Sequence, residues 1–269
     1  MSIIPKIATP VSHLTRDQST LIKLRNVSDC MEMRPGTLDV ASNEEVYHCD
    51  SIQINHVMSD HSLEHLVNVS KNAANLKLIA FHCATNCDAP VLIGRKFGMG
   101  GHMYNRSDMI YNVMKNIDMI RKNIRSDISL AVENNNYYKT EWQNPYDTVT
   151  DAEFISDITE AANIEFLFDT SHAAVTAANR GIPYETYIDM LPMHCLKQIQ
   201  LCQHAFIDDE CVDLHELPTA STISRAVTLA FDHKCEYLTI EYYGDCDRLI
   251  SGIEYMRKVI NARGNLQHT

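Results

Sequence analysis

The sequence is poor in basic residues and in glycine, and it has no long apolar run. Its 269 residues include 23 Lys and Arg against 35 Asp and Glu, for a formal net charge of −12. Proteins that grip a nucleic-acid backbone normally carry a basic stripe, and this sequence has none. No run of eighteen apolar residues occurs, and residues 1–6 lack the basic-then-apolar order of a secretory signal. We therefore expect a cytoplasmic protein that binds neither nucleic acid nor membrane.

The cysteines give no sign of a disulfide framework. There are nine, an odd number, and they are scattered along the chain. Only Cys83 and Cys87 lie close together, and their spacing is wider than the two-residue gap of a zinc knuckle. We interpret them as buried, reduced thiols.

Short apolar runs that end in a metal-capable side chain are the most informative feature present. Three of them end at Glu133, at Asp169 with His172 three residues on, and at Glu241. Parallel strands buried on both faces read as continuous apolar runs, and in a βα barrel their carboxyl ends open into the active site. A single acidic residue after a strand often only caps the next helix. The repeated placement predicts that these side chains converge.

The order of predicted elements indicates a (β/α)8 TIM barrel. Eight segments have strand character: 4–9, 30–34, 46–54, 77–83, 128–133, 164–169, 196–202 and 236–242. Helical periodicity lies between most of them, as at 62–74, 107–124 and 151–162, and Thr150 to Glu153 fits a capping box. The connection at 35–45 is too short for a full helix. No linker interrupts the chain, so we expect one domain over residues 1–269.

Two long loops are predicted on the catalytic face, at 84–106 and 134–150. The first holds four of the nine glycines, which suits a mobile or closely packed loop. Its Gly98-Met-Gly-Gly101 segment follows no clear strand–helix turn, which argues against a phosphate cradle. Arg95, Lys96 and Arg106 could attract an acidic leader peptide, although an ordinary solvated loop is the simpler explanation of such charges.

Nine potential metal ligands, all imidazole or carboxylate, follow the predicted strands: His48, His82, Glu133, Asp169, His172, His204, Asp213, His215 and Glu241. One six-coordinate ion cannot use nine ligands, so two or three ions are expected. Ligation by nitrogen and oxygen without thiolate fits Fe, Mn or Zn, and the order of affinities does not choose among them. The two-residue step from Asp213 to His215 places both side chains on one face if the backbone is extended.

Several motifs in a fixed order carry a resemblance to a known family. They are Leu130-Ala-Val-Glu-Asn-Asn-Asn-Tyr-Tyr138, Phe166-Leu-Phe-Asp-Thr-Ser-His172, Gln198-Ile-Gln-Leu-Cys-Gln-His204, Asp213-Leu-His215 and Ile240-Glu241. The order resembles the multinuclear non-haem iron-dependent oxidases, the methanobactin-type enzymes that modify ribosomally made peptides. This family lies within the xylose-isomerase-like barrel superfamily, which also holds endonuclease IV. The resemblance covers roughly residues 46–262.

The resemblance implies an iron site with two or three ions, O2 as oxidant, and a cysteine-containing precursor peptide as substrate, presented by a partner protein. It implies metal-binding roles for eight of the nine ligand candidates, and catalytic roles for Glu133, Asp169, His204 and Glu241. The ninth candidate, His172, instead resembles the Asp-x-x-His motif of endonuclease IV and sugar isomerases. There are two departures, because the family usually has asparagine at the position of His172 and histidine at the position of Gln200.

Two kinds of enzyme remain open at this point. The first is the oxidase, in which iron binds O2 and a substrate thiolate. The second is a divalent-metal sugar isomerase or epimerase, or an endonuclease IV-like hydrolase, using Zn or Mn. In an isomerase Glu133 and Glu241 would shuttle protons beside a polarised carbonyl. A partner-binding scaffold without catalysis is disfavoured because so many ligand positions are filled.

Overall fold

Eight parallel strands form a closed barrel in this computed structural model, which describes residues 3–37, 44–140 and 143–266. The described residues contain twelve strands: β1 (Lys6–Pro10), β2 (Cys30–Met33), β3 (Glu44–Gln53), β4 (Leu78–His82), β5 (Val91–Ile93), β6 (Lys96–Gly98), β7 (Ser129–Glu133), β8 (Glu165–Asp169), β9 (Leu196–Leu201), β10 (Gln203–Ile207), β11 (Glu210–Glu216) and β12 (Tyr237–Ile240). The barrel follows the order β1-β2-β3-β4-β7-β8-β9-β12 and closes where β12 pairs with β1. All eight predicted strands are confirmed.

Helices connect most barrel strands and cover their outer face. They are α1 (Gln18–Val27), α2 (Asp60–Asn72), α3 (Arg106–Asn123), α4 (Ala152–Ala162), α5 (Thr170–Arg180), α6 (Tyr184–Asp189), α7 (Ala220–Asp232) and α8 (Cys246–Leu266). The three predicted helices correspond to α2, α3 and α4. The expectation of no helix between β2 and β3 falls partly on residues 38–43, which lie outside the described residues. None of the described helices is both long enough and apolar enough to cross a lipid bilayer.

The predicted capping box at the start of α4 is wrong. The Thr150 hydroxyl donates to the Tyr146 carbonyl instead of capping the helix, and the Tyr187 hydroxyl donates to the Thr150 carbonyl. The N-cap residue is Asp151, whose carboxylate pairs with Arg180 at 2.7 Å rather than with the helix backbone. Groups outside the helix have thus taken the Thr150 hydroxyl and the Asp151 carboxylate, so neither side chain caps the helix.

The barrel interior is divided into an apolar floor and a polar upper layer. Side chains alternate across a strand, so inward-pointing residues recur every second position. A buried apolar cluster includes Cys30, Val46, Ala80, Ala131 and Leu167, from five neighbouring strands. Two residues further along the same strands stand the polar residues Glu32, His48, His82, Glu133 and Asp169. The two-residue period of the strands therefore places these five polar side chains in one layer at the carboxyl end of the barrel.

The outward faces of the strands pack on the helices and form the main apolar core. Phe81, Val132 and Phe166 are fully buried there against helical residues such as Val113 and Ile155. At roughly 25 cal/mol per Å² of apolar surface removed from water, this burial dominates folding. The nine cysteines form no disulfide, and Cys83 and Cys87 are both buried, as predicted.

Two antiparallel hairpins stand at the carboxyl end of the barrel, where the sequence predicted loops. Strands β5 and β6 pair within the predicted loop 84–106, and β10 pairs with β11 after β9. Lys96 of the first hairpin contacts Glu210 of the second at 2.6 Å. The close packing expected of the glycines is confirmed at Gly100, where an added Cβ would lie 2.3 Å from the Ala89 carbonyl oxygen.

Candidate metal centre

The carboxylate of Glu133 lies between three histidines at the end of β7. Its Oε2 is 3.0 Å from His48 Nε2 and 2.9 Å from His82 Nε2, and its Oε1 is 2.9 Å from His172 Nδ1. The side chain is completely buried. The three histidines come from β3, β4 and the first turn of α5, so barrel closure alone brings them together.

Polar side chains of the barrel interior fix the orientation of the His48 ring. Gln200 Nε2 lies 3.0 Å from His48 Nδ1 and 3.3 Å from Glu32 Oε1. A carboxylate only accepts, so the amide NH2 of Gln200 faces both groups and donates to them. His48 Nδ1 is then the acceptor, and its Nε2 carries the proton that faces Glu133 in this arrangement.

Asp169 caps helix α5 and is fixed by its neighbouring strand. Its Oδ1 accepts from the His172 backbone N–H at 2.7 Å, which satisfies one of the free amide groups of the first helical turn. Its own backbone N–H donates to Asn134 Oδ1 at 2.8 Å, and Asn134 Nδ2 donates back to the Asp169 carbonyl at 2.9 Å. The amide of Asn134 thus ties the end of β7 to the end of β8.

The hydrogen bonding of His172 orients it as a ligand. Its Nδ1 is 2.9 Å from the Asn134 carbonyl oxygen, which can only accept, so this nitrogen carries the proton. In a neutral ring, Nε2 then presents a lone pair, and it faces Asp213 Oδ2 at 3.2 Å. Two lone pairs facing each other repel unless a proton or a metal cation lies between them. A carbonyl partner on the far nitrogen is the usual orientation of a metal-binding histidine.

A third group of predicted ligands continues from Asp213. Asp213 Oδ2 is 3.6 Å from His215 Nε2, and the same nitrogen is 3.4 Å from Glu241 Oε1. Tyr243 donates its hydroxyl to Glu241 Oε1 at 2.7 Å. The backbone at His215 is left-handed, with φ of 50°, and not extended as the sequence reading assumed. This strained conformation, rare outside glycine, brings the His215 ring to the site.

Burial and neighbouring charges have opposite effects on the pKa values of the buried carboxylates. Burial would raise the pKa of Glu133, but the charges of His82, His172 and His48 outweigh it and lower that pKa well below its ordinary value. At Asp169 burial prevails over the charge of His172, and the pKa rises to about 7. The two buried acids therefore differ because Glu133 has three imidazole neighbours.

Burial and neighbouring groups also have opposite effects on the pKa values of Asp213 and His215. Burial would raise the pKa of Asp213, but the hydrogen bond and charge of His172 overcome it and lower the pKa to about 2. Burial would lower the pKa of His215, but its hydrogen bond to Glu241 and that residue's charge raise the pKa to about 9. Without a metal, protons on the imidazoles offset the carboxylate charge.

The donor set fits one or more metal cations. At the site, three buried carboxylate oxygens make no hydrogen bond of good geometry, although His172 nitrogens lie 2.9 Å from the first and 3.2 Å from the last: Glu133 Oε1, Asp169 Oδ2 and Asp213 Oδ2. Leaving a buried acceptor unsatisfied costs about 1–3 kcal/mol, more for a charged group. Two sets have ligand atoms all within 4.8 Å of one another: His48, His82 and Glu133, and Glu133, Asp169 and His172. Glu133 belongs to both sets, as a bridging carboxylate would.

Eight of the nine predicted ligands are linked by these contacts, and His204 is separate. It lies on β10, with its ring 6.4 Å from that of Phe206, and burial lowers its pKa. The imidazole lines a neighbouring cavity of about 420 Å³ with Cys202 and Tyr184. His204 pairs with Asp213 across the β10–β11 hairpin, but within the described residues no hydrogen bond or ion pair joins its ring to another predicted ligand. Its metal-binding and catalytic roles stay predictions.

Glu32 and Arg34 are site residues that the sequence reading missed. Glu32 is fully buried beneath His48 and accepts hydrogen bonds from three side chains of β9 and β12: Gln198 at 2.5 Å, Gln200 at 3.3 Å and Thr239 at 3.1 Å. Arg34 NH2 lies 2.6 Å from Glu32 Oε1 and 3.1 Å from Glu241 Oε1. The available signal was a charged pair at the end of β2, with Glu32 inside the strand and Arg34 directly after it, at the strand end where the other ligands were sought.

An open cavity of about 740 Å³ gives access to this part of the site. Its lining includes Arg34, His215, Glu241 and Tyr243 on one side and His13 on the other. The cavity is polar and charged close to the barrel, so a reacting group that enters it meets ionisable side chains rather than an apolar wall.

Comparison with known proteins identifies relatives at two levels. The family model described as "RiPP precursor modification enzyme MbnB/TglH/ChrH" matches residues 103–242. A search of curated proteins found no sequence match. Among solved structures, a xylose isomerase domain protein from Alicyclobacillus acidocaldarius is similar, with a TM-score of 0.61, 10% identity, and coverage of 95% of this chain and 98% of that one.

Two further solved structures are similar in fold. One is a putative xylose isomerase from Rhodospirillum rubrum, with a TM-score of 0.59, 11% identity, and coverage of 96% of this chain and 99% of that one. The other is the IOLI protein with a bound zinc atom, with a TM-score of 0.60, 9% identity, and coverage of 94% and 96%. At such low identity these likenesses show the xylose isomerase-like TIM-barrel fold alone.

Proposed function

This chain belongs to the MbnB/TglH/ChrH family of RiPP precursor modification enzymes, and from that premise we propose that it is an iron- and O2-dependent oxidase acting on a cysteine-containing, ribosomally made peptide. The observation that carries the proposal is the buried Glu133 carboxylate among three histidines, next to carboxylate oxygens that make no hydrogen bond of good geometry.

Each side of Glu133 has a complete set of candidate ligands. His48 and His82 would complete one metal position, and Asp169, His172 and Asp213 the other. His215 and Glu241 are candidates for a third. Bound iron would supply the redox chemistry and an open position for a substrate thiolate. Imidazole and carboxylate ligands suit iron and also Zn or Mn, so metal content has to be measured.

The other residues bind substrate and hold protons. The peptide enters by the 740 Å³ cavity. There the Tyr243 hydroxyl donates a hydrogen bond to Glu241 Oε1, with an oxygen–oxygen distance of 2.7 Å. Arg34 and His215 flank that carboxylate and keep the pKa of Glu241 low despite burial. Glu241 is therefore ionised, and its carboxylate can accept a hydrogen bond from an incoming group.

The hairpins form an apolar surface for the peptide or for a partner protein that presents it. Val91, Leu92 and Ile93 are 54%, 66% and 66% exposed, and Phe206 on the other hairpin is 65% exposed. Clustered exposed apolar residues indicate an interaction surface. The expected attraction of an acidic leader is weakened, because Lys96 pairs with Glu210 and Arg106 with Asp157. That expectation now rests on Arg95.

The test is co-expression with short cysteine-containing precursor peptides encoded near the gene, with and without oxygen. An oxygen-dependent mass change localised to a cysteine supports the proposal. Metal analysis of protein expressed in iron-rich medium should find iron. Stoichiometric zinc, no gain on iron reconstitution, and turnover of a ketose or aldose would instead establish the isomerase, the alternative that the His172 position and the barrel fold favour.

A further inference from the structure

Arg34 lies where a third cation of the site would be expected. Its guanidinium NH2 bridges the buried Glu32, at 2.6 Å, and Glu241, at 3.1 Å, and the side chain is only 12% exposed. A cation-to-carboxylate bridge of this kind is what a metal ion provides between two acidic ligands. Arginine provides it permanently, because its guanidinium stays protonated at any physiological pH.

We propose that Arg34 acts as a built-in cation that takes the place of a third metal ion, so that the centre holds two divalent metals, one on each side of Glu133. The inference rests on the proposed function only in taking the site to be metal-binding.

The charge balance of the site favours two ions. Five carboxylates with side chains at most 6% exposed line the described part of the site: Glu32, Glu133, Asp169, Asp213 and Glu241. In the metal-loaded site we take the histidines, His215 included, to be neutral, so with Arg34 offsetting one carboxylate four negative charges remain. Two divalent cations neutralise those four charges. A third would leave a buried excess of two positive charges, which is costly in a medium of low dielectric constant.

The coordination of Glu241 supports the same count. Its Oε1 already contacts three donors, namely Arg34 at 3.1 Å, His215 at 3.4 Å and Tyr243 at 2.7 Å. In contrast, the site carboxylate oxygens that make no hydrogen bond of good geometry belong to Glu133, Asp169 and Asp213, which face the two proposed metal positions. Glu241 is therefore a partner of Arg34, and the acceptors available to metals are on the other side of the site.

The experiment is metal stoichiometry on the full-length protein. The metal-free chain is dialysed anaerobically against Fe²⁺ and, in parallel, Zn²⁺, and metal per chain is measured by elemental analysis. Wild type should bind two ions. Glu241→Gln should still bind two, because Glu241 is not a ligand, and Arg34→Lys should bind two, because the charge is kept. Arg34→Met should bind three, because Glu32 and Glu241 lose their shared cation.

A matched control is Arg257→Met, which removes an arginine paired with Asp29 at the opposite end of β2 and should leave two ions. Three ions in wild type, or one ion lost in Glu241→Gln, would overturn the inference, as would two ions in a folded Arg34→Met. If Arg34→Met does not fold, the counts for Glu241→Gln and Arg34→Lys still decide. A wild type that binds no metal would refute the proposed function itself, a separate result.

Discussion

At the scale of single residues, Glu133 is the side chain on which most contacts of the site converge. It contacts one histidine on β3, one on β4 and one on α5, and it belongs to both candidate metal positions. The apolar core lies elsewhere, between the strands and the helices. A change at Glu133 should therefore affect metal binding far more than folding.

Glu133→Gln is expected to lower the affinity for iron at both positions by more than about 100-fold, the upper end of the cost of losing an outer-shell partner. The shape of the side chain is kept, so far-UV circular dichroism should match wild type. Iron per chain measures the effect. Glu153→Gln, on the exposed face of α4, is the control. An insoluble Glu133→Gln protein would mean that the residue is structural.

Asp169 has two functions that substitution can separate. Asparagine keeps an acceptor for the His172 backbone N–H, whereas alanine removes it. We expect both Asp169→Asn and Asp169→Ala to lose metal. In urea unfolding of the metal-free proteins, only the alanine variant should lose about 1 kcal/mol, the usual value of an N-cap. Equal destabilisation by asparagine would show that the cap is not what Asp169 contributes to stability.

At the scale of elements, the barrel strands were predictable and the hairpins were not. Strands such as β7 and β8 are buried on both faces. Their sequences are therefore continuous apolar runs, which can be recognised without the structure. Residues 91–93 are instead apolar and exposed, and their hairpin depends on pairing with β6 rather than on a pattern of burial. Loop length and glycine content located this segment but did not reveal its structure.

The site was predictable to the extent that it follows the strand period. Glu133 and Asp169 end their strands and point inward, as their sequence position requires. Arg34 contacts Glu241 only because β12 and β2 both pair with β1 in the closed barrel, a relation with no local signal. At His204, the pairing register of β10 shifts between residues 203 and 204, so strand alternation could not give its direction.

The β5–β6 hairpin allows a test of the peptide surface. Leu92→Ser should lower the rate of peptide modification at limiting peptide while leaving iron content unchanged, because Leu92 is 66% exposed and far from any ligand in sequence. Its unfolding free energy should stay within about 0.5 kcal/mol of wild type. Ile22→Ser on α1, 54% exposed, serves as the apolar control. Equal loss in both variants, or in neither, would argue against a docking role.

At the scale of the whole molecule, the candidate metal centre joins strands from opposite sides of the barrel. The linked contacts run from β2 and β3 through β7 and α5 to β11. A cation bound only by the folded chain stabilises it by mass action, and the gain is about 2.7 kcal/mol at a free-metal concentration 100 times Kd.

Addition of Fe²⁺ to the metal-free protein should therefore raise Tm, by roughly 2–4 °C per kcal/mol for a chain near this size. Anaerobic thermal unfolding at several iron concentrations measures the shift, and a chelator should reverse it. Glu133→Gln should show little shift under the same conditions. A rise of equal size in that variant would place the stabilising metal somewhere other than the described site.

The apolar floor of the barrel limits how metal ions and peptide can reach the candidate site. Because residues such as Val46, Ala131 and Leu167 fill the interior beneath the ligands, the described barrel offers no route through its amino-terminal end. In the proposed reaction, metal ions, peptide and product share the opening at the carboxyl end. We expect metal to load before the peptide binds, because a seated peptide would cover the ligands. A chelator that strips the free enzyme should leave the peptide-bound enzyme metallated until product departs.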